Sequence, residues 1–182
     1  MTKIENTVED TEDLITVFPP VTRVDGNDTQ TVRFLLTSKT PIKTERLKRA
    51  SFEGVPPKNK VLEKEINVTF KQNIPVIIRP IGLKKNDSPW KELKWSINGK
   101  SIVVINPSPY VVRFTSLNAS IIPTGQMIML PKSYILPNQS FTLEIPSNFS
   151  KLDSELNNVS IRFHPATIWG FSTSEAYDAP VK

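Results

Sequence analysis

Residues 62–80 of this chain read LEKEINVTFKQNIPVIIRP. In the first half of the stretch, apolar side chains lie two or four positions apart with polar residues between them: Leu62, Ile66, Val68 and Phe70. Successive side chains of a β-strand point to opposite faces, so an extended chain would place these apolar side chains in one row. From residue 74 the apolar run becomes nearly continuous, which is typical of a strand buried on both faces. The stretch therefore predicts a long strand in a β-sheet fold.

The rest of the chain shows the same alternation of short apolar segments and turn residues. Strands are predicted at residues 14–18, 21–24, 29–36, 47–54, 93–97, 101–105, 110–117, 121–122, 126–130, 140–145 and 159–163. Proline accounts for 16 of 182 residues, above the usual ~5%, and several prolines stand at the ends of these segments. Asn98-Gly99 between two apolar runs predicts a tight hairpin. The sequence therefore predicts an all-β fold.

The length of 182 residues is enough for two β-sandwiches of about 100 residues each. A boundary is indicated near residue 82, because Pro80 and Gly82 interrupt the chain and a polar, lysine-rich stretch follows. We therefore predict two all-β domains, residues 1–81 and residues 82–182.

The formal net charge of +5 suits an acidic partner, a nucleic acid or an anionic membrane surface. Basic residues concentrate at 39–49, but no aromatic residue interrupts that run to stack on bases. We interpret the run as a solvated basic face and expect no nucleic-acid binding, with a basic nucleic-acid-binding module as an alternative. The acidic residues 1–13 are interpreted as a polar lead-in.

The sequence carries no recognisable catalytic or metal-binding motif. It contains no cysteine and one histidine, His164, so histidine-based catalysis would need other residues for nearly every role. Paired carboxylates such as Asp10 with Glu12, and Asp153 with Glu155, lie in polar segments, and we expect them to face water. No apolar run reaches the ~18 residues of a membrane helix. We therefore expect no enzymatic activity, no cofactor, no metal and no direct membrane insertion.

Five segments of the sequence, taken in order, resemble the periplasmic chaperones that assemble pili and fimbriae in the chaperone-usher pathway. They are FPPVTRVDGNDTQTVRF at 18–34, ERL at 45–47, GVPP at 54–57, IRP at 78–80 and NPSPY at 106–110. The resemblance extends from around residue 13 to the C-terminus, and the order and spacing of the segments make it specific.

This resemblance implies two immunoglobulin-like β-sandwich domains, of which the first is incomplete, because the family's signal peptide and opening strands have no counterpart here. We therefore expect Met1 to mark an incomplete reading frame. The resemblance further implies a periplasmic protein that binds and caps pilus or fimbrial subunits before delivery to an outer-membrane usher. Such subunits lack the last strand of their own sandwich, and the chaperone donates a strand to the open groove, an established example of strand addition.

The resemblance also implies the site residues. The donated row matches four residues here: Leu62, Ile66, Val68 and Phe70. Glu45 and Arg79 match an acidic and a basic residue that form an ionic pair in the interdomain cleft. A basic residue that anchors the subunit's terminal carboxylate is replaced here by Pro75, and we expect Lys71, on the same strand face, to substitute for it.

Two alternatives remain on the sequence alone. The alternating row could fill the core of this protein itself, since any half-buried strand alternates. A pilus subunit or adhesin would share the β-sandwich composition, but it should begin with an alternating extension, which residues 1–13 do not show.

Overall fold

The computed structural model describes residues 1–55, 68–145 and 159–182. In these ranges the regular structure consists of β-strands and one short 3-10 helix, Pro89–Glu92, and no helix there is long and apolar enough to cross a membrane. The chain divides into two compact units. Unit 1 comprises Met1–Ile42 and Arg46–Pro80, and unit 2 comprises Lys43–Glu45 and Ile81–Lys182.

In its described residues, unit 1 contains a three-stranded antiparallel sheet and a two-stranded ribbon. The sheet contains, in spatial order, β1 (Thr2–Asn6), β4 (Arg46–Glu53) and β5 (Lys71–Ile78). The ribbon pairs β2 (Ile15–Phe18) with β3 (Arg33–Leu36). Among the described residues β5 pairs only with β4, so the other edge of β5 is open.

One face of the central strand β4 builds the interior of unit 1. Phe52 points to the ribbon, and its ring meets that of Phe34 edge to face with 6.5 Å between the centroids. Ala50, on the same face of β4, is fully buried and lies opposite Ile4 of β1 and Ile74 of β5. The core of unit 1 therefore lies between this face of the sheet and the ribbon.

The strands of unit 1 differ from the prediction in two places. Residues 1–13, interpreted as a polar lead-in, contain β1, whose main chain pairs with β4 although Ile4 is its one strongly apolar residue. Within the described ranges, the predicted strand at 21–24 does not form and the one at 29–36 is reduced to β3. Only the part of that segment opposite β2 finds a partner strand.

Lys48 of β4 is fully buried, although the basic run at 39–49 predicts a solvated face. Its Nζ donates to the main-chain oxygens of Asp10 and Glu12, at 2.8 and 2.6 Å, and to Asp10 Oδ1 at 2.8 Å. Arg46 donates from Nε to Asp10 Oδ2 at 2.7 Å. The prediction that Asp10 faces water is therefore wrong, because two cations and a carboxylate satisfy one another inside the protein. The Glu12 side chain does remain exposed.

Unit 2 is a β-sandwich. Its larger sheet has the spatial order β10 (Gln126–Met129), β9 (Asn118–Ile122), β13 (Ser160–Phe163) and β14 (Tyr177–Pro180). The second sheet has the order β12 (Ser140–Glu144), β7 (Ser101–Ile105) and β6 (Lys94–Asn98), and a ribbon pairs β8 (Val112–Arg113) with β11 (Tyr134–Ile135). Side chains from both sheets and the ribbon meet in one buried cluster that includes Trp95, Ile102, Val104, Val112, Ile121, Ile135, Ile161 and Phe163.

The predicted hairpin between β6 and β7 forms, but its turn lies one residue after the position that the Asn98-Gly99 dipeptide predicts. Asn98 pairs with Ser101, so the turn residues are Gly99 and Lys100. Gly99 adopts a φ of +57°, which costs glycine little. Of the predicted strand at 110–117 only β8 forms, and the sequence does not predict β11 and β14, because both are short and lack apolar alternation.

Candidate functional site

The candidate site is the segment that leads into β5, residues 68–70, where the predicted donor row enters the described part of the chain. Val68 is 63% exposed and Phe70 is 78% exposed, whereas Leu62 and Ile66 lie outside the described residues. The Phe70 carbonyl oxygen accepts a hydrogen bond from the Gly54 N–H at 3.3 Å, which extends the pairing of β4 with β5. The segment is therefore held along one edge while these two apolar side chains remain in contact with solvent.

Val68 and Phe70 line a cleft of about 770 Å³ in unit 1. Val24, Val32 and Phe52 add apolar lining, and the remaining walls include polar groups. A row that filled the core of unit 1 would bury its large side chains. The exposure of Val68 and Phe70 is at odds with that alternative.

The opposite face of β5 carries a polar network that includes Lys71. Lys71 Nζ lies 3.2 Å from Glu5 Oε1 on β1, and Asn73 Nδ2 donates to Glu5 Oε2 at 3.0 Å. The hydrogen bond from Lys71 is the largest cause that lowers the pKa of Glu5. Arg49 of β4, which lies opposite Pro75, donates to the Asn73 main-chain oxygen at 3.3 Å. Lys71 is therefore already engaged with a carboxylate of this chain.

Glu45 belongs to unit 2 and is almost fully buried. Its N–H donates to the Pro109 carbonyl oxygen at 2.8 Å, and its Oε2 accepts a hydrogen bond from the Val111 N–H at 2.9 Å. Arg79 belongs to unit 1 and directly follows β5. The ionic pair of Glu45 and Arg79 stays a prediction.

The NPSPY segment has a clear structural role. Asn106 is fully buried, and its Nδ2 donates to the carbonyl oxygens of Tyr110, Ile135 and Leu136 at 2.8, 3.2 and 3.2 Å. Its Oδ1 accepts hydrogen bonds from the Ser108 N–H at 3.1 Å and from Ser108 Oγ at 2.6 Å. The side chain thus fixes the loop that leads to Val111, the partner of Glu45. Sequence reasoning missed this role, and an asparagine just before a Pro-Ser-Pro turn was the available signal.

Asn106→Ala is expected to lower the free energy of unfolding by about 3 kcal/mol, because it leaves buried carbonyl and amide groups without their partner. Urea-induced unfolding provides the measurement. Asn118→Ala, at an exposed position of β9 in the same unit, is the matched control and should change stability little. Equal losses in the two variants would contradict this role of Asn106.

Among the described residues, no group of three or more histidine, aspartate or glutamate side chains is placed to hold a metal ion. His164 is exposed directly after β13. Asp153 and Glu155 lie outside the described residues. The arrangement that the described chain does offer is a strand edge with exposed apolar side chains, which suits binding to another polypeptide.

Two protein-family models match consecutive parts of the chain. Residues 1–84 match the N-terminal domain of PapD, described as a pili and flagellar-assembly chaperone. Residues 88–163 match the C-terminal domain of the pili assembly chaperone PapD. In sequence, the chain is similar to the uncharacterized fimbrial chaperone YhcA of Escherichia coli strain K12, with 37% identity over 152 residues. The match covers 84% of this chain and 63% of YhcA, so the chain spans less than two thirds of that relative.

Two solved structures show the same fold. The crystal structure of the Pseudomonas aeruginosa CupB2 chaperone matches with a TM-score of 0.70 and 22% identity, covering 100% of this chain and 84% of that one. The structure of the Salmonella enterica SafA pilin in complex with the SafB chaperone matches with a TM-score of 0.69 and 20% identity, covering 98% and 81%. The predicted all-β fold with two immunoglobulin-like β-sandwich domains is confirmed. The chain belongs to the family of pilus assembly chaperones.

Proposed function

We propose that this protein is a periplasmic chaperone that binds and caps pilus or fimbrial subunits by donating a β-strand, before their delivery to an outer-membrane usher. The observation that carries the proposal is the exposed pair Val68 and Phe70, which directly precedes β5; the outer edge of β5 is open among the described residues. Such a strand supplies main-chain hydrogen bonds to a partner's sheet edge and alternate apolar side chains to its groove. Membership of the family supports the same function.

Burial of the donor row in a subunit groove favours capping. Each large apolar side chain buried in a subunit groove contributes about 1.5–3 kcal/mol before the entropy of docking is subtracted. A row formed by Leu62, Ile66, Val68 and Phe70 therefore supplies a favourable apolar contribution to holding a subunit.

The proposal also assigns roles to the two domains. Residues 1–81 and 82–182 act as the N-terminal and C-terminal chaperone domains, and Glu45 and Arg79 form the ionic pair that the family resemblance implies. The protein works without catalysis or a cofactor. A pilus subunit, an adhesin or a nucleic-acid-binding module is not favoured, because both matching family models describe chaperone domains.

Co-expression with the pilus subunits encoded in the same genome tests this function. We expect a soluble complex in which amide hydrogen exchange at residues 68–74 is slower than in the free protein, because a subunit strand pairs with the open edge of β5. Exchange in β9, which pairs with a strand on each side, serves as the internal control and should not change. Subunits that stay insoluble, or a complex with unchanged exchange at 68–74, would contradict the proposal.

Lys71→Met is expected to weaken binding of a subunit with a free terminal carboxylate about tenfold, because it removes a charge-assisted hydrogen bond. Glu5→Gln is the matched control, since it releases Lys71 from its own carboxylate partner and should leave binding equal or tighter. A subunit with an amidated C-terminus should bind the unchanged protein and Lys71→Met alike. Equal affinity of both proteins for the free-carboxylate subunit would remove Lys71 from the site.

A further inference from the structure

A tight turn in unit 2 exposes two aromatic side chains. In this aromatic turn, residues 167–171, Trp169 is 77% exposed and Phe171 is 73% exposed. The other two of the three tryptophans, Trp90 and Trp95, are buried in the core of unit 2. Large side chains of this kind are usually at least half covered in a folded domain. The two exposed aromatic side chains therefore form an apolar patch on the surface of unit 2.

The aromatic turn is closed by its own hydrogen bonds. The Thr167 N–H donates to the Phe171 carbonyl oxygen at 2.8 Å, and the Gly170 N–H donates to the Thr167 carbonyl oxygen at 2.8 Å. The Phe171 N–H also donates to Thr167 Oγ1 at 3.2 Å. Gly170 has a φ of +86°, and a Cβ there would lie 2.9 Å from Arg113 Nη1. The turn therefore holds both aromatic side chains outward at little further entropy cost.

One cation, Arg113, lies against the aromatic turn, and a second, Lys132, lies next to the cross-strand neighbour of Arg113. Arg113 packs under Gly170, and its cross-strand partner in the β8–β11 ribbon is Tyr134. Lys132 Nζ lies 5.9 Å from the centroid of the Tyr134 ring. These contacts join the residues into one aromatic-basic surface: Arg113, Lys132, Tyr134, Trp169 and Phe171.

The chemistry of this surface indicates its occupant. Tryptophan and tyrosine are enriched at the membrane–water interface, where neighbouring lysine and arginine side chains are attracted to anionic lipid headgroups. The net charge of +5 complements such a surface.

We propose that the aromatic-basic surface docks weakly on the anionic surface of a phospholipid bilayer. Trp169 and Phe171 enter the headgroup layer, and Arg113 and Lys132 face the lipid phosphates. This contact lies on the bilayer surface and differs from a spanning segment. It does not depend on subunit binding.

Tryptophan fluorescence of the whole protein tests the docking, because Trp169 is the exposed tryptophan. Phosphatidylglycerol vesicles should shift the emission to shorter wavelength and carry the protein into the vesicle pellet, and high salt should reverse both effects. Phosphatidylcholine vesicles should do neither. Trp169→Phe should keep vesicle binding and abolish the shift, because the remaining tryptophans are buried.

Variants separate the docking surface from general surface properties. Trp169→Ser with Phe171→Ser should lower partitioning onto phosphatidylglycerol vesicles at least about tenfold. Lys132→Gln should lower it about fivefold. Met129→Ala and Lys100→Gln, at exposed positions elsewhere in unit 2, are the matched controls and should have smaller effects.

Three outcomes would overturn the proposal: partitioning no greater than with phosphatidylcholine, partitioning that survives the double serine variant, or equal losses in the matched controls. An emission shift that appears with a pilus subunit and not with vesicles would instead assign the aromatic turn to a protein contact.

Discussion

A protein with Val68→Asp and Phe70→Asp is expected to stay folded and to lose subunit binding by at least about a hundredfold. Both side chains are mostly exposed in the free protein, so the substitutions remove little of its own core. In a subunit groove the same positions would lose apolar burial and place two carboxylates where water is excluded. Isothermal titration with a purified subunit gives the affinity, and circular dichroism with a thermal melt gives the folded state.

Val21→Asp is the matched control for this double variant. Val21 is 67% exposed in unit 1 and lies outside the donor row, so the control should bind subunits like the unchanged protein. An unfolded double variant would mean that the row is part of the protein's own core. A folded double variant that binds normally would place the subunit site elsewhere.

Asp10→Asn is expected to lower the free energy of unfolding by about 3 kcal/mol or more, because it leaves the fully buried Lys48 without its carboxylate. Adding Lys48→Met should recover much of this loss, since an apolar side chain of similar length needs no ionic partner. Urea-induced unfolding of the single and double variants measures both effects. A single variant as stable as the unchanged protein would contradict the importance of this ion pair.

The free energy of unfolding should also depend on pH through the cluster of Asp10, Arg46 and Lys48. Burial opposes ionisation of Asp10, but hydrogen bonds from Arg46 and Lys48 outweigh burial and hold the pKa of Asp10 below its usual value. Ionised Asp10 therefore stabilises the fold above the unfolded-state pKa of ~3.9, and this contribution is lost as the pH falls through the folded-state pKa. Below pH ~4 the unfolding free energy should fall more steeply in the unchanged protein than in Asp10→Asn with Lys48→Met.

The strands could be predicted from the sequence wherever the local pattern of apolar and polar residues indicates which side chains are buried. The apolar runs that became β7, β12 and β13 are rich in β-branched or aromatic residues and end near turn residues or prolines. By contrast, β1 has few apolar residues and owes its pairing to the neighbouring strand β4. Lys48 was predicted to be solvated because its partner Asp10 lies 38 residues away in the sequence. Contacts over such separations leave no local pattern.

The candidate site could likewise be predicted only in part from the sequence. Alternation pointed to Val68 and Phe70, but alternation alone does not distinguish a row buried in its own sheet from one offered to a partner. The position of β5 at a sheet edge and the exposure of both side chains bear on that question, and both are tertiary properties. The loop-fixing role of Asn106 likewise depends on carbonyl groups of Ile135 and Leu136, about thirty residues further along the chain.

The short segment Lys43–Glu45 belongs to unit 2 although the chain on both sides of it belongs to unit 1. A fragment that starts at residue 82 would therefore lack Glu45, and the main-chain groups of Pro109 and Val111 would lose their hydrogen-bond partners. A fragment that ends at residue 81 would contain residues 43–45 but lack Pro109 and Val111, with which Glu45 forms hydrogen bonds. A single cut near residue 82 therefore separates Glu45 from the hydrogen-bond partners that it has in unit 2.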